Sequence, residues 1–462
     1  MNRRARRLAQ LAMLAVAAMP ATLAAAPSAT AGTPAAAPLA PPPAPPTAPT
    51  AAAPDFAPGE LVVRLDDQRF GRAMDLPSGI GVHEAAAALR SNPHVAYAVL
   101  NYIATASAVP NDPGTVPPAG GPRAGWTALQ WNFLPCGNFC APGTQPLPLQ
   151  SAGGINALDA WKNLRKDGRP GARGVIVAVL DTGIAYRDEG TRFRRSPDFG
   201  ASEFVPGYDF VGKDALPLDV NGHGTHAAGT IAEKTANHIA LTGLAYDAKL
   251  MPVRVLNGLG NGKSDRIAKG IRFAAKHGAQ VINMSFNFGC GNPVPPVAQA
   301  MRFASSRGAV LVASVGNDEP RSCVTMPASD THAIAVGGTT EDGCLGSYSK
   351  ISPRVDLVAP GGGLPAAGCQ ASGASRPIYQ LTFRTGSPKH FEIPGFYEGT
   401  SMSASHVSGL AAMVIASGVL GPAPTPTQVL DRLQATARDL GLPGKDNEFG
   451  AGLIDAAAAT AP

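Results

Sequence analysis

Three polar side chains in separate stretches of the 462-residue sequence have the types that nucleophilic catalysis requires. Ser401 lies in Gly-Thr-Ser-Met-Ser-Ala-Ser-His-Val-Ser-Gly, where a Gly-Thr turn precedes an apolar run that predicts a buried helix. A hydroxyl at such a junction is expected to be exposed, close to backbone N–H groups without helical partners. Most serines at helix starts are only caps. The interpretation of Ser401 as a nucleophile therefore depends on its partners.

The partners lie upstream of Ser401. Asp181 lies in Val-Ala-Val-Leu-Asp-Thr-Gly, and His223 lies in Asn-Gly-His-Gly-Thr-His-Ala-Ala-Gly-Thr. The order Asp, His, Ser is that of subtilisin, and all three motifs resemble those of the subtilisin-like serine proteases, with a resemblance that runs from Pro110 to Ala459. It implies a serine endopeptidase in which Ser401 attacks the peptide bond, His223 acts as base and then acid, and Asp181 orients the imidazole.

The same resemblance implies an oxyanion donor. Asn317 ends Ala-Ser-Val-Gly-Asn and would act together with the backbone N–H of Ser401. Taken alone, Asn317 would be interpreted as a turn residue after a strand. The presence of the other motifs reverses that preference.

Two further stretches are expected to bind substrate. One is an extended edge that pairs main chain to main chain, and the other is a wall of the pocket for the residue before the scissile bond. Most members of the family have glycines where Asn287 and Phe288 stand, so bulk is expected to narrow or reshape this pocket. Ser405 stands where the family usually has proline, and it restores a helix-compatible N–H. The predicted substrate-binding residues are Gly260, Asn261 and Gly262 on the edge and Ser285, Phe286 and Asn287 in the wall.

Continuous apolar runs predict the elements that position these residues. The run that ends at Asp181 is typical of a parallel strand buried on both faces. Strands that alternate with helices predict an α/β fold, with a doubly wound, mostly parallel sheet and helices on both faces. In such sheets the site lies at the carboxyl ends of strands. Further strands are predicted at 249–256, 281–286, 310–315 and 332–336, and helices at 264–277, 294–307, 403–417 and 427–437.

The first hundred residues divide by composition. Residues 1–26 have an arginine-rich start and a short apolar stretch, which predict a signal peptide. Residues 27–54 predict an Ala/Pro-rich spacer. Residues 55–106 predict a small α/β unit that resembles the inhibitory propeptides of the family, with an ordinary accessory domain as the alternative. Cleavage is expected between Tyr102 and Asn111, which leaves 107–462 as the peptidase domain.

Charge and cysteine content limit the partners and the compartment. Of the formal net charge of +5, four positive charges come from Arg3, Arg4, Arg6 and Arg7 in the leader, so no nucleic-acid partner is predicted. The six cysteines of an exported chain favour disulfides. Pairing of neighbours closes the shortest loops, and it predicts Cys136 with Cys140, Cys290 with Cys323, and Cys344 with Cys369.

The sequence thus predicts a secreted, periplasmic or extracellular enzyme made as a self-processing zymogen. Its expected partners are polypeptide substrates and its own propeptide as an intramolecular inhibitor, and we expect a monomer without a membrane anchor in the mature form. No cofactor is expected for catalysis and no metal ligand is assigned; structural calcium occurs in the family, but no typical ligand run is present. The alternatives are a processing protease of narrow specificity and an inactive peptide-binding surface protein of the same fold. No role is predicted for the Gly/Pro-rich segment 364–396.

Overall fold

The computed structural model describes two compact units, which part between Asn101 and Tyr102. No helix within the described ranges is both long enough and apolar enough to span a membrane. The predicted leader and spacer lie outside these ranges. The described residues are 56–106, 109–110, 126–136, 150–166, 168–200, 203–235, 239–369 and 376–462.

The first unit is a small antiparallel sheet with one helix. Strand β1 lies between β2 and β3, and it pairs with β2 in the register Leu61 to Met74. Ala85, Ala86 and Leu89 form the buried face of the helix, which packs on β1. The predicted order of strand, helix and strand is present, with one additional short strand. The elements are β1 Phe56–Leu65, β2 Arg72–Asp75, α1 Val82–Arg90 and β3 Val95–Ala106, whose last residues belong to the second unit.

The second unit is built on a seven-stranded sheet in the order β13-β12-β11-β9-β5-β7-β6. Every pairing in this sheet is parallel, and nearly all of its residues are buried, because such sheets are covered on both faces. The strands after β3 are β4 Val109–Pro110, β5 Ile176–Asp181, β6 Tyr208–Asp209, β7 Lys249–Arg254, β8 Asn261–Lys263, β9 Val281–Met284, β10 Phe286–Phe288, β11 Val310–Ser314, β12 Ala333–Thr339, β13 Leu357–Pro360, β14 Thr382–Phe383, β15 Phe391–Glu392 and β16 Tyr397–Glu398.

The helices of this unit pack in two groups against the sheet. One group is α3 with α6, and the other is α4 with α5. The predicted doubly wound α/β fold is therefore confirmed. The helices after α1 are α2 Ala157–Lys166, α3 His223–Ala232, α4 Ser264–Lys276, α5 Pro295–Ser305, α6 Thr400–Ser417, α7 Pro426–Ala435 and α8 Ala456–Thr460.

Two element bounds differ from the sequence-based prediction in ways that affect the site, and two strands of the main sheet were not predicted. The single strand predicted at 281–286 is wrong: the run is two strands that break at Ser285, whose hydroxyl donates to the carbonyl of Ser401 in α6. Helix α6 begins at Thr400, so Ser401 lies inside its first turn. Strands β6 and β13 were not predicted, because two and four residues give too little pattern.

Disulfides connect Cys290 to Cys323 and Cys344 to Cys369. Two of the three predicted pairings are thereby confirmed. Cys140 lies outside the described residues, so its pairing with Cys136 stays a prediction.

Residues 376–396 of the Gly/Pro-rich segment contain two short strands. Strands β14 and β15 pair antiparallel, with Phe383 opposite Phe391. Ile378 and Phe383 are completely buried. This part of the segment therefore contributes side chains to the core, although residues 384–386 are exposed.

Candidate active site

Asp181 and His223 meet at the carboxyl edge of the sheet. Asp181 is the last residue of β5, and His223 is the first residue of α3. The imidazole Nδ1 lies 2.8 Å from Asp181 Oδ1 and 3.0 Å from Oδ2. The backbone N–H of Thr182 also donates to Oδ1, at 2.7 Å. Both side chains are buried, so this pair is shielded from solvent.

A second buried carboxylate, Asp219, organises the loop that leads to His223. It accepts hydrogen bonds from the Thr182 hydroxyl at 2.9 Å and from the backbone N–H groups of Asn221 and Gly222. Thr225 donates to it twice, from its backbone N–H at 3.0 Å and its hydroxyl at 2.7 Å. Sequence reasoning assigned no role to Asp219. A signal was available, because an acid just before a helix start favours the N–H groups of its first turn.

The charges around His223 raise the pKa of its imidazole above the ordinary value. Burial works against the charge, but the carboxylate of Asp181, its hydrogen bond and the charge of Asp219 outweigh burial and raise the pKa of His223. Among the described residues, the other ring nitrogen, Nε2, has no hydrogen-bond partner. The imidazole is thus held at one nitrogen and can accept a proton at the other.

The described part of the 364–396 segment supports this loop from the outside. The Thr382 hydroxyl donates to the carbonyl of Gly222 at 2.6 Å, and the Thr385 hydroxyl donates to that of Asn221 at 2.9 Å. Gly222 has a left-handed φ of 104°, and a side chain there would collide with the Phe383 carbonyl. The segment therefore helps to position His223, a role that the sequence did not reveal.

Ser401 lies in the first turn of α6 and is completely buried, whereas an exposed hydroxyl was expected. Its Oγ donates to the carbonyl of Ser285 at 3.1 Å. Its own carbonyl accepts from Ser285 Oγ at 2.9 Å and from Ser405 Oγ at 3.0 Å. Because the Ser401 hydroxyl is bonded to Ser285, it is not bonded to His223 Nε2 in this structure.

Asn317 follows β11 and is held by Thr400, the residue before Ser401. Its Oδ1 accepts from the backbone N–H of Thr400 at 3.0 Å and from the Thr400 hydroxyl at 2.9 Å. Because both donors require an oxygen, the amide orientation is fixed. Its Nδ2 is buried and has no partner among the described residues. This geometry leaves one N–H donor available close to the start of α6.

Three short strands, β8, β10 and β16, pair with residues that precede Ser401 in the sequence. Residues 103–105 pair antiparallel with β8, in the register Ala104 to Gly262, while Ala106 pairs with Phe286 of β10. On the other side, β4 pairs antiparallel with β16, which ends two residues before Thr400. The chain before and after residues 107–108 is therefore paired as extended strand. The predicted edge residues Asn261 and Gly262 take part in this pairing, and Gly260 forms the preceding turn with a φ of 80°.

The sequence profile of the subtilase family matches residues 172–452, which contain Asp181, His223, Asn317 and Ser401. The chain belongs to the subtilase family. It is 31% identical to the thermophilic serine proteinase of Bacillus sp. strain AK1 over 72% of this chain and 66% of that protein. The chain thus spans slightly less than two thirds of the length of that relative. It is 35% identical to subtilisin Savinase of Lederbergia lenta over 62% of this chain and 91% of that protein. A solved structure of a Pseudoalteromonas arctica PAMC 21717 protease is 30% identical, with a TM-score of 0.55, over 67% of this chain and 94% of that chain.

In this subtilase the predicted pocket wall carries a side chain that crosses to the neighbouring strand. Asn287 Nδ2 donates to the carbonyl of Ser314 at 2.8 Å, and the Ser314 hydroxyl donates to Asn287 Oδ1 at 3.3 Å. Phe286 and Phe288 are buried, and the Phe288 N–H donates to the carbonyl of Met326. The bulk expected at Phe288 is thus packed in the interior, and Asn287 is the side chain that bridges the two strands.

Two other histidines of the subtilase are buried and form hydrogen bonds outside the Asp181–His223 pair. His226 Nε2 bonds to the carbonyl of Ile378 at 2.9 Å and its ring stacks on Tyr397. His406 bonds to Asn132 and to the carbonyl of Met402. Burial lowers the pKa of His226 to about 3 and that of His406 to about 4. Both rings are therefore neutral near pH 7 and act as packed hydrogen-bonding groups.

Metal ligands were not predicted for this subtilase. Within the ranges that the structure describes, His, Cys, Asp and Glu side chains form no group of three or more that could hold a metal ion. Structural calcium therefore stays an expectation taken from the family.

Proposed function

We propose that this chain is a serine endopeptidase that hydrolyses peptide bonds through an acyl-enzyme, with Ser401, His223 and Asp181 as nucleophile, base and orienting acid. The observation that supports this proposal most directly is the hydrogen bonding of the two ring nitrogens of His223. Its Nδ1 is bonded to a buried carboxylate, while its Nε2, which has no partner in the ranges that the structure describes, can accept a proton. This is the arrangement that a serine nucleophile requires of its base.

The reaction then follows from the positions of these groups. The Ser401 hydroxyl turns from the Ser285 carbonyl towards His223 Nε2, and its oxygen attacks the peptide carbonyl while its proton passes to the imidazole. Asp181 stabilises the imidazolium. The proton then goes to the leaving amine, the C–N bond breaks, and an ester to Ser401 remains. Water attacks this ester and gives a proton to His223. The imidazolium passes that proton to the Ser401 oxygen as the ester C–O bond breaks, which releases the carboxylic acid and restores the Ser401 hydroxyl and the neutral imidazole.

The negative charge that develops on the carbonyl oxygen would be stabilised by two donors. One is Asn317 Nδ2, whose orientation Thr400 fixes. The other is the backbone N–H of Ser401, in the first turn of α6, where N–H groups have no helical acceptor. Both donors are arranged before the reaction begins, which is the condition for effective electrostatic stabilisation.

We also propose that the chain is made as a self-processing zymogen, with residues 55–106 as the inhibitory propeptide and 107–462 as the peptidase domain. The antiparallel pairing of residues 103–106 with β8 and β10 supports this, because a substrate recognised through its main chain would bind in the same way. A covalently attached segment also has a high effective concentration. We place the cleaved bond between Ala106 and Val109, a narrower range than the sequence alone allowed.

We also propose that the protein is secreted. The leader at 1–26 and the spacer at 27–54 predict export, and disulfides such as Cys290 to Cys323 persist in oxidising compartments. The mature enzyme is expected to act as a monomer on polypeptides. An active enzyme would have to be kept inhibited until export, which gives the propeptide a physical purpose.

The processing experiment compares the full chain with Ser401→Ala and with Ser403→Ala. Ser403 is a control in the same helix, and its hydroxyl has no hydrogen-bond partner in the described part of the chain. The parent and Ser403→Ala should give a mature N-terminus between Ala106 and Val109 and should hydrolyse casein. Ser401→Ala should stay uncut and inactive. A folded parent that stays uncut and does not hydrolyse casein would exclude the endopeptidase in favour of the peptide-binding alternative. Equal processing of parent and Ser401→Ala would exclude self-cleavage.

A further inference from the structure

The side chain of Asn287 is fixed in the gap between β10 and the end of β11. Its amide donates to the Ser314 carbonyl at 2.8 Å and accepts from the Ser314 hydroxyl at 3.3 Å. Only 7% of the residue is exposed. Because both ends of the amide are bonded to Ser314, the side chain spans the gap instead of turning to solvent.

A second side chain, that of Lys350, lies against Gly316 beside Asn287. Gly316 has a left-handed φ of 102°, and the atoms nearest to the position that a Cβ would take are Lys350 Cε at 3.1 Å and Asn287 Cγ at 3.3 Å. Lys350 is 3% exposed, and its amine bonds to the carbonyls of Asp318 and Pro320. The surface of Gly316 is therefore covered by Asn287 and by the apolar stem of Lys350.

The proposed chemistry decides which substrate residue meets this gap. In the antiparallel register, Ala106 is opposite Phe286, so a chain bound in this way brings its next residue opposite Ser285. The carbonyl of Ser285 accepts from Ser401 Oγ. The substrate residue opposite Ser285 is thus the one whose carbonyl is attacked. The oxygen of this carbonyl must face Asn317, which directly follows Gly316. Its side chain has to enter between β10 and residues 314–316.

We propose that Asn287 determines specificity by restricting the residue before the scissile bond to glycine, alanine or serine. This inference rests on the proposed endopeptidase function and names its substrate class. A larger side chain would have to displace the Asn287 amide and leave buried polar atoms unpaired, which lowers the rate by about 10- to 100-fold. The sequence around the proposed cleavage point, Thr105-Ala-Ser-Ala108, contains small side chains throughout.

The test measures kcat/KM for peptide p-nitroanilides that differ only in the last residue, alanine, leucine or phenylalanine. Active sites are first counted with a fluorophosphonate, so that loss of folded protein does not affect the comparison. The processed parent should prefer alanine over phenylalanine by about 10- to 100-fold. Asn287→Gly should reduce this ratio at least about tenfold, through a gain on phenylalanine. Asn292→Gly, the same change in the turn after β10, should leave the ratio unchanged.

The inference is overturned if the parent cleaves the phenylalanine substrate as well as the alanine substrate. It is also overturned if Asn287→Gly leaves the ratio within about twofold of the parent. If Asn287→Gly does not fold, Asn287→Ala gives the same comparison, since its methyl group cannot reach the Ser314 carbonyl. A parent that reacts with neither fluorophosphonate nor any of the substrates contradicts the endopeptidase function itself, which is a different outcome.

Discussion

Thr400 fixes the side chain of Asn317 through two hydrogen bonds to one oxygen, at 3.0 Å from its backbone N–H and 2.9 Å from its hydroxyl. The residue before the proposed nucleophile therefore orients the proposed oxyanion donor. Asn317 Nδ2 is left without a partner among the described residues. The nucleophile and the oxyanion donor are in this way parts of one bonded unit.

Replacing Asn317 by leucine should lower kcat by about 100- to 1,000-fold while KM changes little, because the donor acts mainly in the transition state. Thr400→Val, which keeps the backbone donor and removes the hydroxyl, should have a smaller effect of about tenfold. Steady-state kinetics on one peptide substrate measures both. If either variant changed KM in place of kcat, Asn317 would be a ground-state binding residue.

The raised pKa of His223 predicts the acid side of the pH–rate profile. The base must be neutral to accept the Ser401 proton, so kcat/KM should rise with pH and reach half its maximum above pH 6.5, the ordinary pKa of histidine. Asp181→Asn removes the largest charge that raises this pKa. Its profile should move to lower pH, and its kcat should fall by about 10,000-fold. A midpoint at or below pH 6.5 in the parent would contradict the assignment.

Much of this site could be predicted from sequence because it depends on short motifs. Asp181, His223 and Ser401 each lie in a local pattern, and the parallel strands give continuous apolar runs. The support of the site could not be predicted in the same way. The bonds of Thr382 to Gly222 and of Asn287 to Ser314 join residues far apart in the chain, 160 and 27 positions respectively. A single sequence carries no local signal for such contacts.

The burial of Ser401 could not be predicted from the sequence either. The hydroxyl was expected to be exposed because a helix start at a sheet edge usually faces solvent. Segments 103–106 and 109–110 pair with the strands on either side, and no pattern in these residues indicates where they dock.

The buried neutral histidines predict a loss of stability in acid. Between about pH 6.5 and pH 4 the unfolded chain binds protons at His226 and His406 that the folded chain does not bind, so stability falls as the pH falls. His406→Gln should make this slope shallower by up to about 1.4 kcal/mol per pH unit. Urea unfolding at several pH values, in a Ser401→Ala background that prevents self-digestion, measures the slope. Parallel profiles for the two proteins would contradict this prediction.

The disulfide between Cys290 and Cys323 joins residues 33 positions apart and closes a loop that contains β11 and Asn317. Changing both cysteines to alanine should lower the free energy of unfolding by about 3–4 kcal/mol, because the unfolded chain gains entropy. Urea unfolding in the same Ser401→Ala background tests this. A loss under about 1 kcal/mol would mean that the bond adds little constraint.

The central claim is that Ser401 is a nucleophile activated by His223, and covalent labelling tests it most directly. The processed protein is treated with a fluorophosphonate, and the modified peptide is identified by mass spectrometry. We expect a single adduct on Ser401. This adduct should be absent in denatured protein, and it should form at least about 100-fold more slowly in His223→Ala. A folded protein that remains unlabelled, or an adduct that forms on Ser401 equally fast without His223, would contradict it.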